Sequence, residues 1–318
     1  MGQPQTLGRG ARLFGTCGCA LLALLSLAWI VRDAVLAPGA GQVWWRWAGS
    51  PAASSGGAVQ VTSLTDGVLC VVCALAASRV PRSASAAAAL AAAGTAALVL
   101  RLPSLWLLGQ GWTGVWAGSA LHARAYATTV ASLLLGAALL LTAALGRRAP
   151  RARAEIPDRP APAAARTAGA LLIACAALFA AWEADRAGDY GWIAYRSMLL
   201  GSRNTTLSLL STPRGWWMAV LVFLALLAGL AALARATFSR ALGTVAAAMV
   251  LAWGLVRLSV AVRFQQFDGT LDASPRVQLS LASTLFHVLA GLVVLALLLP
   301  GARPARPPAE PVPAPPGA

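Results

Sequence analysis

Residues 83–106 read SASAAAALAAAGTAALVLRLPSLW, and this stretch decides the class of fold. From Ser83 to Leu100 it carries no charge and nothing larger than leucine. Coiled into a helix, a run of that length covers the hydrocarbon core of a bilayer, about 30 Å thick. Its alanines and its glycine let neighbouring helices approach closely, which is how helices associate in lipid. Arg101 then closes the run, and Trp106 follows. An arginine and an indole at the end of an apolar span mark the level where hydrocarbon meets headgroups.

Working outward, the sequence predicts eight such spans, near 12–33, 61–80, 84–102, 127–146, 167–186, 216–235, 240–261 and 279–300. The whole chain of 318 residues is 58% hydrophobic and 11% charged, with mean hydropathy +0.71. A soluble domain carries about a quarter charged residues. The expected fold class is therefore all-α: a polytopic integral membrane protein of eight transmembrane helices. The first run follows Arg9 and Arg12, as in a signal peptide, but from Leu13 to Ile30 it exceeds the usual apolar core of one, so it reads as an uncleaved span.

Arginine supplies all the positive charge, for a net +15; there is no lysine. Richness in Ala, Arg and Pro without Lys is the signature of a high-GC genome, actinobacterial in character. On a soluble chain this charge would point to nucleic acid. Here the arginines gather in short connections between spans, so nucleic acid is not an expected partner. Arg9 and Arg12, Arg79 and Arg82, the linker arginines 147–166, Arg235 and Arg240, and Arg303 and Arg306 fall on one side of an eight-span arrangement. That side is expected to be cytoplasmic, placing both termini inside a plasma membrane. Nearly all the tryptophans and most of the acids fall on the other side.

The two halves of the chain resemble each other. A shift of 156 residues lays Arg79 on Arg235, Arg101 on Arg257, Leu102 on Leu258, Thr128 on Thr284 and Arg147 on Arg303. A shift of 153 lays Trp29 on Trp182. Four spans per copy is an even number, so the copies share an orientation. Such parallel repeats are related by a pseudo-twofold axis along the membrane normal. The expected organisation is a four-helix repeat over 1–146, an Arg/Pro-rich cytoplasmic linker over 147–166, a second repeat over 167–301 and a proline-rich cytoplasmic tail over 302–318.

No nucleotide loop, zinc-protease helix or nucleophile elbow is present, so a non-enzymatic role is expected, with no metal or cofactor. The arginine pair suggests binding or transport of a small or lipid-like anionic ligand from the outer side. Its expected site lies between the repeats, with Arg101 meeting Arg257, beside Trp29 and Trp182, and with Asp33 and Asp185 as partner acids. The bland reading makes each arginine a snorkelling helix end. A second functional reading is an accessory subunit of an envelope complex, with membrane lipids and an envelope protein or a second copy as partners. A third is a thiol oxidoreductase using Cys70 and Cys73, a C-x-x-C pair on one helix face. His287, alone in the last span, is expected to bond between helices.

Overall fold

The computed structural model describes residues 6–39, 41–49, 58–149 and 160–299, and the proline-rich tail lies outside them. Among the described residues the regular structure is helical apart from a two-residue bridge in which β1 (Thr6–Leu7) pairs antiparallel with β2 (Arg147–Arg148). The helices are α1 (Arg9–Leu36), α2 (Gln42–Trp47), α3 (Leu64–Arg79), α4 (Ala86–Leu108), α5 (Gly111–Ala117), α6 (Ser119–Leu145), α7 (Pro162–Leu200), α8 (Arg214–Leu233), α9 (Ser239–Arg263) and α10 (Pro275–Leu298). Seven of them are long and apolar enough to cross a membrane: α1, α4 and α6 to α10. They mark the chain as a multi-pass membrane protein. Leucine, valine and phenylalanine side chains such as Leu24, Leu134, Phe223 and Leu289 stand exposed along them, as a lipid-facing surface requires.

The expected span that falls short is α3. It begins at Leu64, and its 16 residues reach only about 24 Å at 1.5 Å per residue. Ser63 and Asp66 form a capping box that fixes this start: Asp66 Oδ2 accepts the Ser63 N–H at 2.7 Å. Val61 and Thr62 before it are extended and fully buried. Asp33 Oδ2 accepts both of their backbone N–H groups, at 3.0 and 2.7 Å, and the Thr62 hydroxyl at 2.7 Å. Non-helical backbone in a membrane protein survives where protein satisfies it. The α1 carboxylate does that here.

Helices adjacent in the chain make the most extensive packing: α1 on α3, α4 on α6, α7 on α8, and α9 on α10. Backbones come close where glycines face each other. A Cβ on Gly94 would lie 2.7 Å from the Gly136 carbonyl oxygen, and one on Gly169 would lie 2.9 Å from that of Gly229. Between the two halves α4 meets α9, flanked by contacts of α3 with α9 and of α4 with α8. The long α7 is broken at Gly191, whose φ of +73° suits glycine, and its last turns fold back so that Leu199 covers Gly215 of α8.

Helix α4 runs past its expected end, through Pro103 to Leu108. Proline has no N–H to give the carbonyl four residues back, here Val99. The Trp216 indole N–H donates to that carbonyl at 2.9 Å, and the Thr212 hydroxyl donates to Leu100 O at 3.0 Å. The Ser104 hydroxyl in turn donates to Leu210 O at 3.0 Å. The connection before α8 is thereby stitched to the proline turn of α4. Trp216→Phe should cost about 1–3 kcal/mol by orphaning the Val99 carbonyl. Adding Pro103→Ala restores an internal donor and should recover part of that loss in thermal melts of the detergent-purified protein. A double variant no better than W216F alone would refute this account.

Candidate functional site

The two arginines of the sequence argument have different surroundings. Arg101, on α4, is 2% exposed. Its Nη2 lies 2.7 Å from Asp66 Oδ1 of α3, itself wholly buried, and 3.4 Å from the Ser26 hydroxyl of α1. The ion contact is close but angled, leaving Arg101 Nε without a hydrogen bond. Asp66 thus serves twice, capping α3 through Oδ2 and neutralising Arg101 through Oδ1. Its short reach from the α3 N-terminus, one turn into the helix, makes this possible.

Asp33, expected as a partner of Arg101, instead pairs with Arg32 at 2.7 Å and holds residues 61–62. Trp29 lies nearby on α1 and donates to the Thr128 hydroxyl of α6 at 3.1 Å. All four of these groups from the first half bind protein atoms. They build the scaffold rather than line a cavity.

In the second half Arg257, Trp182 and Asp185 do come together. They line a cavity of about 290 Å³, at the end of the bundle where α7 and α9 finish and α8 and α10 begin. Arg186, Arg214 and Arg276, Glu183 and Asp189, and Tyr190, Trp253, Ser283 and His287 also line it. Arg101 does not, so the expected meeting of Arg101 and Arg257 across a central axis is replaced by separate sites. The physical reason is the packing: α4 turns Arg101 toward α1 and α3, while Arg257 faces the interior formed by α7, α8 and α10.

The charges inside the cavity are unevenly matched. Arg186 bonds Glu183 one turn earlier on α7, and Arg276 of α10 bridges Asp185 and Asp189. Arg214 and Arg257 have no carboxylate within ion-pair distance among the described residues; Arg214 lies instead over the Trp253 ring, 5.7 Å from its centroid. The wall behind them is aromatic. His287 stacks on Phe179 with centroids 4.1 Å apart, and Trp182 donates to the Ser283 hydroxyl at 3.2 Å. His287 is 3% exposed, and its Nε2 is buried without a hydrogen-bond partner among the described residues, so that nitrogen does not make the expected bond to a second helix.

Sequence reasoning found Arg257, Trp182 and Asp185 through the internal repeat. It missed Arg214 and Arg276, whose signal was their place in the first turns of apolar helices, and it missed Asp66 as the partner of Arg101. The thiol pair has a different fate. Cys73 is fully buried beside Cys19, and the Cys70 Sγ–H is directed at the Ala23 carbonyl at 3.5 Å. Both are free thiols packed between α1 and α3, where no external dithiol can reach Cys73.

No known family, curated protein or solved structure matches this chain. The site is read from its geometry alone.

Breaking the buried pair tests its structural weight. Arg101→Gln, which leaves Asp66 buried and uncompensated, should cost about 3–5 kcal/mol. Replacing both residues with apolar ones (R101M with D66L) should recover most of it, less about 1 kcal/mol for the lost cap. The exposed Arg124→Gln serves as the neutral control. Equal losses in the single and double variants would show that the ion pair is not what holds α3 to α4.

Proposed function

We propose that this protein binds, and moves or presents, a small or lipid-like anionic ligand through the cavity of its second half. The observation that carries the reading is the presence in one cavity of Arg214 and Arg257, neither of which has a carboxylate within ion-pair distance among the described residues. Arg257 is half-buried and Arg214 exposed, and an oxyanion can accept a pair of hydrogen bonds from either guanidinium fork. The aromatic wall of Phe179, Trp182 and Trp253 excludes water and strengthens the attraction.

The proposal includes an eight-span arrangement of two parallel four-helix repeats, α1, α3, α4 and α6 followed by α7 to α10, with both termini on the cytoplasmic side of a plasma membrane. Three features support it. The same helices pair in each copy, and the copies meet through α4 and α9, the third helix of each. Trp29 bonds a hydroxyl of the fourth helix in the first copy, and Trp182 does so in the second. Arg79, Arg82, Arg235 and Arg240 cluster at one set of turns, as positive-inside loops do. In this orientation the cavity opens on the outer side.

Two measurements test these points. Purified protein should gain thermal stability from at least one of sodium glycolate, phosphate or sulfate at constant ionic strength, and R214Q/R257Q should abolish the gain. A gain that persists in that double variant would place the anion elsewhere. For orientation, in a variant with its five native cysteines replaced, a membrane-impermeant maleimide added to intact cells should label Asn204→Cys and spare Thr237→Cys. The reverse pattern would invert the topology.

A further inference from the structure

In the first half of the chain a carboxylate of the protein itself lies against Arg101. At the 156-residue offset Arg101 corresponds to Arg257, and its partner Asp66 corresponds to Val222. At the 153-residue offset its second partner, Ser26, corresponds to Phe179. Both polar groups that hold Arg101 thus have apolar residues at their aligned positions, and of these Phe179 lines the cavity with Arg257. Arg257 keeps the charge and loses the carboxylate. Where the first half is filled by its own side chain, the second half has a cavity.

Resting on the reading above, we infer that the cavity takes a monoanionic oxyacid group, occupying the place that Asp66 fills beside Arg101, joined to a hydroxyl that donates to His287 Nε2. Charge sets the first part. The lining holds four arginines and three carboxylates, a surplus of one positive charge, which one monoanion cancels. A phosphate monoester or sulfate would bring an extra negative charge next to Glu183 and Asp185. The histidine sets the second part. His287 lines the cavity, its Nε2 is buried without a hydrogen-bond partner, and in the tautomer with the proton on Nδ1 that nitrogen accepts. A buried acceptor of this kind is satisfied by a donor on the ligand. Hydroxycarboxylates and the phosphodiester of a glycerol headgroup share this chemistry, and a space of about 290 Å³ admits either.

The test uses the full chain in detergent and in nanodiscs. Sodium glycolate stands for the free hydroxyacid, acetate for the same anion without its hydroxyl, and sulfate for a dianion. Nanodiscs of phosphatidylglycerol against phosphatidylcholine stand for the lipid source. Expected are saturable binding of glycolate by calorimetry, or retention of phosphatidylglycerol by native mass spectrometry, whichever source applies. Either should weaken about tenfold or more in Arg257→Gln, the loss of one charged hydrogen bond. Arg257→Lys, which keeps the charge without the fork, covers the case in which R257Q does not fold. His287→Phe should remove the preference for glycolate over acetate, or for phosphatidylglycerol over a phosphodiester lipid lacking free hydroxyls, while leaving the anion bound.

Sulfate favoured over glycolate and phosphatidylglycerol in an Arg257-dependent way would overturn the monoanion class and leave an anion site standing. No binding of any anion by the wild-type chain would remove the site as well. Binding unchanged in both Arg257 variants would overturn the assignment to this cavity, and a preference unchanged in H287F would overturn the hydroxyl contact.

Discussion

The structure of the first half depends on one buried ion pair, Arg101 with Asp66. A lone guanidinium among helices that cross a membrane is costly, so its neighbours are arranged to compensate it. Asp66 can reach it because α3 starts at Leu64, and α3 starts there because Ser63 and Asp66 cap it. That late start leaves residues 59–63 outside any helix, with backbone donors needing acceptors. Asp33 supplies them from α1. The short helix, the extended approach and the buried acid are therefore one solution. A buried pair of this sort adds little net stability compared with apolar packing, but removing either partner alone leaves a charge that nothing else can satisfy.

The same economy of partners ties the halves together. Pro103 frees the Val99 carbonyl, and a tryptophan from the first turn of α8 takes it. In return, the short α2 of the first half reaches α9, where Trp44 donates to the Ser259 hydroxyl and the Arg263 guanidinium carbon lies 4.1 Å from the centroid of the Trp45 ring. Each half lends its first long connection to the third helix of the other. Exchanged connections make the relative placement of the halves depend on hydrogen bonds, which are directional. Apolar helix faces alone would leave that placement free to slide, since lipid tails compete equally for them.

The spans were legible because bilayer thickness sets their length and composition directly. Seven of the eight expected runs match long apolar helices to within a few residues at most ends. The exceptions follow from side chains acting at a distance. The start of α3 is fixed by Asp66 and Asp33, the run-through at Pro103 by Trp216 across the interface, and the length of α7 by a break at Gly191 that one sequence cannot distinguish from an interfacial loop. The candidate site was half legible. The repeat singled out Arg101 and Arg257, yet a sequence offset gives position along a helix and not the direction a side chain faces. The pairing of Arg101 with Asp66 crosses 35 residues with no pattern to announce it, and the absence of a partner for Arg257 shows only in three dimensions.

On the proposed reading of two four-helix repeats, duplication would account for this difference between the halves. If one copy of an ancestral unit carried an arginine that bound an anion, two copies would start with two such sites. On that reading a carboxylate at position 66 closes one of them and converts it into scaffold, while Phe179, aligned with Ser26, stands in the wall of the other. Division of labour would then cost nothing in architecture, because the 156-residue offset lays the two arginines on each other. On that view Asp66 is the bound state of an anion site frozen into the chain, and the geometry around Arg101 records what the cavity around Arg257 looks like when it is filled.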